Sequence, residues 1–458
     1  MIRSGADMGS KRGAGTGDIR LDRRANWLFE QIVASGSLVV RDIGETRKGE
    51  MAAHRFLSSS KLDVAAVIAP HVARTAVAAK GRRIVAAQDT TEVNFSGREK
   101  RRTGLGPAGD GTAKGFFIHP VVAIDAGSEA VLGIAGAEIW TRDDARTPDH
   151  KDRALEDKES LRWLTGAETA AANLAGASEI VVVADREGDI YPVFARKPDS
   201  VELIIRTNHN RVLADGSPLF GAPLSWTELG RMTVKVAARG PGDKGRTATV
   251  ALRAGQITLK RPSRAPKSDP ATLSITLVEA REIDAPKGVK TPLLWRLSTT
   301  LAVVALAEAA DVVRLYRMRW RIEEVFRTLK SDGLKLEDSQ VTDADRLFKL
   351  AALGLVASAR IIQLVDARDG SDRPATDVIA ASHIEAAAAI GARLEGATAR
   401  QKNPHAVGSL AWLSWIVARL GGWNCYYKPP GPKTMARGFE RLAARIEGFT
   451  LAQDLQHV

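Results

Sequence analysis

The chain has 458 residues, with 66 lysines and arginines against 54 acidic residues and a net charge of +12. That length excludes a small stapled scaffold and leaves room for about two to four domains. The positive balance favours a polyanionic partner, nucleic acid first. Cys425 is the single cysteine, which excludes an internal disulfide framework and a cysteine-built zinc site and fits a reducing cytosol.

Residues Met1 to Gly17 are Gly-rich and basic without an apolar h-region, and read as a flexible leader rather than a signal peptide. From Asp18 to about Lys80 the pattern is helical. Asp18 is placed to cap a helix carrying Leu21, Trp27, Leu28 and Ile32, and Gly36 to close it. Arg41, Arg47, Lys48, His54, Arg55 and Lys61 lie among short helical segments, a distribution that suits phosphate contacts and equally suits a solvated surface.

The period then changes. Arg83–Val93 alternates and is β-rich, Gly115–Ile124 and Val131–Trp140 read as two strands joined by a turn, Ala154–Leu174 is helical, and Ser178–Ala184 is a continuous apolar run. A further strand covers Val201–Arg206. This order predicts an α/β sheet in which the first and fourth strands lie side by side. Between about 208 and 300 the alternating segments Thr233–Ala238, Ala248–Arg253, Leu273–Val278 and Pro292–Ser298 are punctuated by Gly240, Pro241, Gly242, Gly245, Pro262, Pro266 and Pro270. That punctuation suggests a β-rich insertion rather than a continuation of the sheet. After Asp311 the chain is helical almost to its end, broken around Arg368–Pro374 and Gly421–Pro432. The most apolar stretches, Phe116–Trp140 and Leu350–Val365, are interrupted by Asp125, Glu129 and Arg360, short of the roughly 18 to 20 apolar residues that span a bilayer, so no membrane span is expected.

The sharpest local pattern is in Ala309–Lys330. At roughly 100° per residue, Met318, Ile322, Val325 and Leu329 form a buried stripe, while Tyr316, Arg319, Glu323, Arg327 and Lys330 share a second face. Glu324 lies about 100° off that face. Asp89 and Asp185 each follow a predicted strand, and the carboxyl ends of strands in open α/β sheets are where ligands bind. A lone strand-end aspartate is more often a turn or cap residue, and Asp125 and Asp189 are read as such. Three carboxylates without cysteine or histidine suit Mg²⁺ or Mn²⁺ rather than zinc. Two such ions held by carboxylates support in-line displacement at a phosphodiester, with Arg319, Arg327 and Lys330 beside them to hold a negatively charged substrate.

QDTTEVNF around Asp89, VVVADREGDIY around Asp185, and the Tyr316, Arg319, Glu323, Lys330 spacing resemble the DDE transposases of the insertion sequence 4 group. The likeness runs from about Asp18 to Leu455, with LDRRANWLFEQI near one end and GSLAWLSWIVARLGG near the other. The resemblance implies an RNase H-like mixed sheet over about 76–365 with the β-rich insertion at about 208–300. It also implies a helical end-binding domain over 18–75, to which Arg41, Lys48 and Arg55 belong, and a helical dimerisation domain over 370–458. By the same resemblance Asp89, Asp185 and Glu323 would hold two Mg²⁺ or Mn²⁺ ions, while Tyr316, Arg319, Lys330, Arg327 and Arg206 would touch phosphates. Trp295 would stack on a flipped base, a contact worth roughly 1 to 3 kcal/mol; by itself it is an ordinary strand aromatic. The implied activity is cut-and-paste transposition of double-stranded DNA, with hairpin formation at the transposon's inverted-repeat ends and joining of the 3′-hydroxyl to target DNA by a homodimer. The implied setting is the bacterial cytoplasm at the nucleoid. Two further readings stay open: an end-binding protein or inhibitor that no longer cuts, and an RNase H-like nuclease without strand transfer.

Overall fold

The computed structural model describes residues 18–95, 102–109, 111, 113–142, 159–236, 245–330 and 333–456. The expected leader Met1–Gly17, the first turn of the helix expected from Ala154, and the Gly240, Pro241 and Gly242 loop lie outside these. The Asp18 carboxylate accepts from the Arg20 and Leu21 amides and so pairs N–H groups that a helix start leaves open. Gly36 ends the same helix at φ 57°, the left-handed conformation that costs glycine least. This helix, α1 (Ile19–Ser35), is followed by α2 (Val40–Gly44), α3 (Arg47–Leu57) and α4 (Val64–Ala79).

The sheet begins with β1 (Arg83–Gln88), β2 (Thr91–Asn94), β3 (Gly106–Ala108), β4 (Ala113–Asp125) and β5 (Val131–Trp140). After α5 (Arg162–Asn173) come β6 (Glu179–Ala184), α6 (Tyr191–Arg196) and β7 (Glu202–Arg206). The run expected as one strand from Arg83 to Val93 is two. Both halves pair with β4, Gln88 opposite Val121 and Thr91 opposite Ile118, so Asp89 and Thr90 stand opposite Pro120 and His119 where pairing lapses. Pro120 brings no N–H to a ladder. β1 lies between β4 and β6, antiparallel to the first and parallel to the second, which is the expected adjacency of first and fourth strands.

The segment expected as a separate insertion instead continues the sheet. It supplies β8 (Gly230–Val236), β9 (Arg246–Lys260), β10 (Thr272–Ile283) and β11 (Leu294–Thr299). Leu297, Ser298 and Thr299 pair antiparallel with Arg206, Ile205 and Ile204, and the described strands form one eleven-stranded sheet in the order β2-β4-β1-β6-β7-β11-β10-β9-β8, with β3 and β5 on β4. The open edge of β7 explains the correction, since its N–H and C=O groups need partners once covered. The joint is reinforced by the Thr299 hydroxyl, which donates to the Leu203 carbonyl at 2.7 Å, and by the buried Thr207 and Ser298 hydroxyls, 2.8 Å apart.

Alternate residues of the central strands feed different cores. Val85, Ala87, Val181, Val183 and Ile204 face a core shared with the helices of both termini, whereas Ile84, Ala86, Ile180, Val182 and Ile205 face α5 and α6. The first face is covered by α7 (Leu306–Met318), α8 (Trp320–Leu329) and α9 (Ala344–Ala367), beyond which lie α10 (Ile384–Leu394), α11 (Leu410–Leu420) and α12 (Pro432–Gln456). The helix expected over Ala309–Lys330 begins earlier and is divided at Arg319, whose amide bonds back to Tyr316 while Ile322 bonds back to Arg319, a tighter 3₁₀ turn. Its predicted stripe of Met318, Ile322, Val325 and Leu329 is buried.

The apolar run around α9 is longer than its interruption by Arg360 suggested. The apolar run around Leu350–Val365 belongs to a longer helix, α9, which by length and composition could cross a membrane, and 94% of its apolar window is buried inside the protein. Its neighbours α1, α4, α8, α11 and β5 account for that apolarity as the core of the fold.

Leu297 is fully buried at the β7–β11 joint. Leu297→Ala is expected to lower unfolding free energy by about 2 to 5 kcal/mol, read from the urea midpoint. A loss well below that range would mean that the joint does not depend on this side chain.

Candidate active site

Parallel pairing carries Asp89 and Asp185 to the same end of neighbouring strands. The register runs from Arg83 opposite Glu179 to Ala87 opposite Val183, and two residues further it sets Asp89 opposite Asp185. Both continue the alternation of Val85, Ala87, Val181 and Val183, so both fall on the face that α7 and α8 cover. α7 is fixed to this face at its other end, where Arg83 at the start of β1 pairs with Asp311 at 2.5 Å and with Glu179 at 2.6 Å.

The 3₁₀ joint between α7 and α8 delivers Arg319. One guanidinium nitrogen meets Asp89 Oδ2 at 2.6 Å and another meets Glu323 Oε1 at 2.8 Å, so the two carboxylates are linked through one fork. Asp89 also accepts from the Thr90 amide at 2.8 Å. Burial pushes the Asp89 carboxyl up to about 6; the Arg319 guanidinium and the Thr90 amide oppose that rise, while the nearby charges of Asp185 and Glu323 add to it. Burial therefore outweighs the one guanidinium that pairs with this carboxylate.

Tyr316 is buried beside Arg319 and Arg206, with its phenol pushed up by burial against the pull of those cations. Its ring meets Trp295 edge-on, with centroids 5.7 Å apart at 67°. Trp295 is half-buried, and through Tyr316 it borders the carboxylates. Lys330 reaches across to β2, donating to the Glu92 carbonyl at 2.5 Å, and lies 3.6 Å from Glu337. Arg327 is exposed on α8. Arg41, Lys48 and Arg55 are exposed on α2 and α3, which pack on α1 and α9 rather than on the strand ends. Glu324 points elsewhere, paired with Arg321, which also meets Asp366. Asp125 and Asp189 are turn and loop anchors: the first accepts from the Gly127 amide and Ser128 hydroxyl, the second from the Asn208 and His209 amides.

Among the described residues no group of three or more His, Cys, Asp or Glu side chains stands ready to hold a metal ion, and Arg319 lies between Asp89 and Glu323. The donor set nevertheless fits a hard divalent cation: all oxygen, with the charges of Asp185 and Glu323 adding to the burial that raises the Asp89 carboxyl.

Residues 204–359 match the transposase DDE domain family. The match covers about a third of the chain, from β7 through most of α9, and includes Arg206, Trp295, Tyr316, Arg319, Glu323 and Lys330. Asp89 and Asp185 precede it. Over that segment the chain is similar to DDE transposases, which points to DNA transposition.

Sequence reasoning missed a layer behind Asp89. Gln88 faces α5, where His119 is fully enclosed against Trp163, ring centroids 4.8 Å apart at 83°. Burial, aided by Arg162, holds His119 neutral, its pKa pushed down to about 3. The period-two alternation that turns Asp89 toward α8 also turns Gln88 toward α5, and was the available signal.

With the folded pKa of Asp89 above its ordinary value, its stability contribution is present at low pH and lost as pH rises through about 6. Holding it ionised costs about 3 kcal/mol at neutral pH. In chelator-treated protein, Asp89→Asn is therefore expected to raise the melting temperature at about pH 7.5 and to leave it nearly unchanged at about pH 4. A lowered melting temperature at the higher pH would show that the Arg319 pair outweighs burial.

Proposed function

We propose that the chain is a cut-and-paste DNA transposase of the insertion sequence 4 group, with Asp89, Asp185 and Glu323 as its reaction centre on an RNase H-like sheet. The observation that carries this reading is the meeting of those carboxylates at one strand-end site, Asp89 beside Asp185 and joined to Glu323 through Arg319. The transposase-like segment around Glu323 supports it.

Asp89, Asp185 and Glu323 would hold two Mg²⁺ or Mn²⁺ ions. When bound, these activate the attacking oxygen and stabilise the leaving oxygen of a phosphodiester. Arg319 aligns Asp89 with Glu323, and with Arg206, Tyr316, Lys330 and Arg327 it lines the approach with cations and donors for phosphates. Trp295, braced by Tyr316, offers a ring to a base turned out of the helix. Water adds across a backbone P–O bond to leave a 3′-hydroxyl. That hydroxyl attacks a phosphodiester of the opposite strand and releases the flanking DNA as a 3′-hydroxyl, closing a hairpin; a second water reopens it, and the freed 3′-hydroxyl joins target DNA by displacing a target 3′-oxygen. Arg41, Lys48 and Arg55 bind transposon ends, and α11 and α12 pair two subunits on DNA in the bacterial cytoplasm.

Incubation with a linear fragment carrying the element's inverted repeats and Mg²⁺ is expected to yield hairpin ends and strand-transfer products. Asp185→Ala should abolish both while end binding, by gel shift, changes by no more than about twofold. Binding without cleavage by the natural chain would instead favour an end-binding inhibitor.

A further inference from the structure

Each aspartate is steadied by a backbone N–H from its own turn. Asp89 Oδ1 accepts from Thr90 at 2.8 Å, and Asp185 Oδ1 accepts from Glu187 at 2.9 Å. Arg162, the first residue of α5, holds the side chains of both donor residues. Its Nε donates to Thr90 Oγ1 at 2.9 Å, and a terminal nitrogen donates to Glu187 Oε2 at 2.7 Å. The other terminal nitrogen is spent on the Glu159 carbonyl at 2.7 Å, so the guanidinium is fixed on three sides and its side chain is only 11% exposed.

Trp163 repeats the connection with different chemistry. Its carbonyl accepts from Gln88 Nε2 at 3.2 Å, and Gln88 immediately precedes Asp89. Its ring abuts Gly188 in the turn after Asp185, where an added Cβ would stand 3.3 Å from Trp163 Cε3 and 2.8 Å from the Ala184 Cβ. The intervening hydrogens follow from valence. Because the Gln88 amide nitrogen donates to Trp163, its oxygen faces His119 Nε2 at 3.0 Å, which must donate. His119 Nδ1 then accepts from the Thr90 hydroxyl at 2.9 Å, and that oxygen accepts from Arg162. The chain runs from Arg162 through Thr90, His119 and Gln88 back to Trp163 without an unmatched donor or acceptor at its junctions.

We propose that the Arg162–Trp163 step is a positioning yoke that sets the two strand-end aspartates relative to one another, an inference that rests on their reading as metal-holding residues. The sheet fixes the backbones of β1 and β6 but not the turns beyond them. The yoke fixes those turns from the face opposite Glu323. The Glu187 arm is largely solvent-exposed, with 64% of its side chain accessible, so the Thr90 and Trp163 arms contribute most of the restraint.

The test compares the full chain with Arg162→Gln and Arg162→Lys by Mn²⁺ titration, end-DNA gel shift and amide hydrogen exchange. Arg162→Gln is expected to weaken Mn²⁺ binding by about tenfold or more, as loss of a residue orienting metal ligands does. Binding of end DNA should stay within about twofold, and Arg162→Lys should recover part of the metal affinity. The Thr90 and Glu187 amides should exchange faster in Arg162→Gln, while those of Val85 and Val181 remain protected. Thr90→Val, which cuts one arm, should loosen only the Asp89 turn and serves if Arg162→Gln does not fold. Wild-type Mn²⁺ affinity and unchanged exchange in Arg162→Gln would overturn the yoke. If Asp89→Asn and Asp185→Asn leave Mn²⁺ binding unchanged, the metal reading fails, and the exchange of the two turns still decides the yoke.

Discussion

Two aspartates at the same end of adjacent parallel strands repel one another, and much of the molecule is arranged around that fact. β1 and β6 are buried on both faces, so neither strand can slide to relieve the crowding without exposing an apolar row. Burial, more than the neighbouring charge, raises the Asp89 carboxyl. A site of this kind costs the fold stability and is retained where charge is wanted for a ligand.

The opposing charge arrives from a helix interrupted at the right residue. A continuous helix would carry Arg319 and Glu323 one turn apart; the 3₁₀ joint keeps that spacing while Arg319 reaches Asp89 and pairs with Glu323 at the same time. Met318, Ile322, Val325 and Leu329 hold the two helical pieces against the core on the opposite side. Packing therefore sets the position, and the guanidinium sets the alignment. Trp295 reaches the same neighbourhood only because β11 joins the sheet at β7, which makes the added strands part of the scaffold for the site.

Much of this was readable from residue order. The face shared by Tyr316, Arg319, Glu323 and Lys330 separates Glu323 from Glu324, and the structure turns Glu324 to Arg321 instead. Strand-end placement made Asp89 and Asp185 candidates, but only the family resemblance separated them from other aspartates such as Asp125 and Asp189. What residue order did not carry is long-range pairing. Nothing local in Leu294–Thr299 says that it will bond to β7, so the glycines and prolines between 240 and 270 suggested a separate unit. The contacts of Arg162 with Thr90 and Glu187 join segments distant in sequence, and His119 looked like any strand residue. The break at Asp89 and Thr90 depends on Pro120, across the sheet.

The central claim is that Asp89, Asp185 and Glu323 surround one site for divalent cations. Iron(II) in place of Mg²⁺, with ascorbate and peroxide, releases hydroxyl radicals that cut the polypeptide next to the bound ion. The account predicts backbone scission beside Asp89, Asp185 and Glu323, suppressed by excess Mg²⁺ and lost in Asp185→Ala. Scission clustered elsewhere, or unaffected by that substitution, would contradict it.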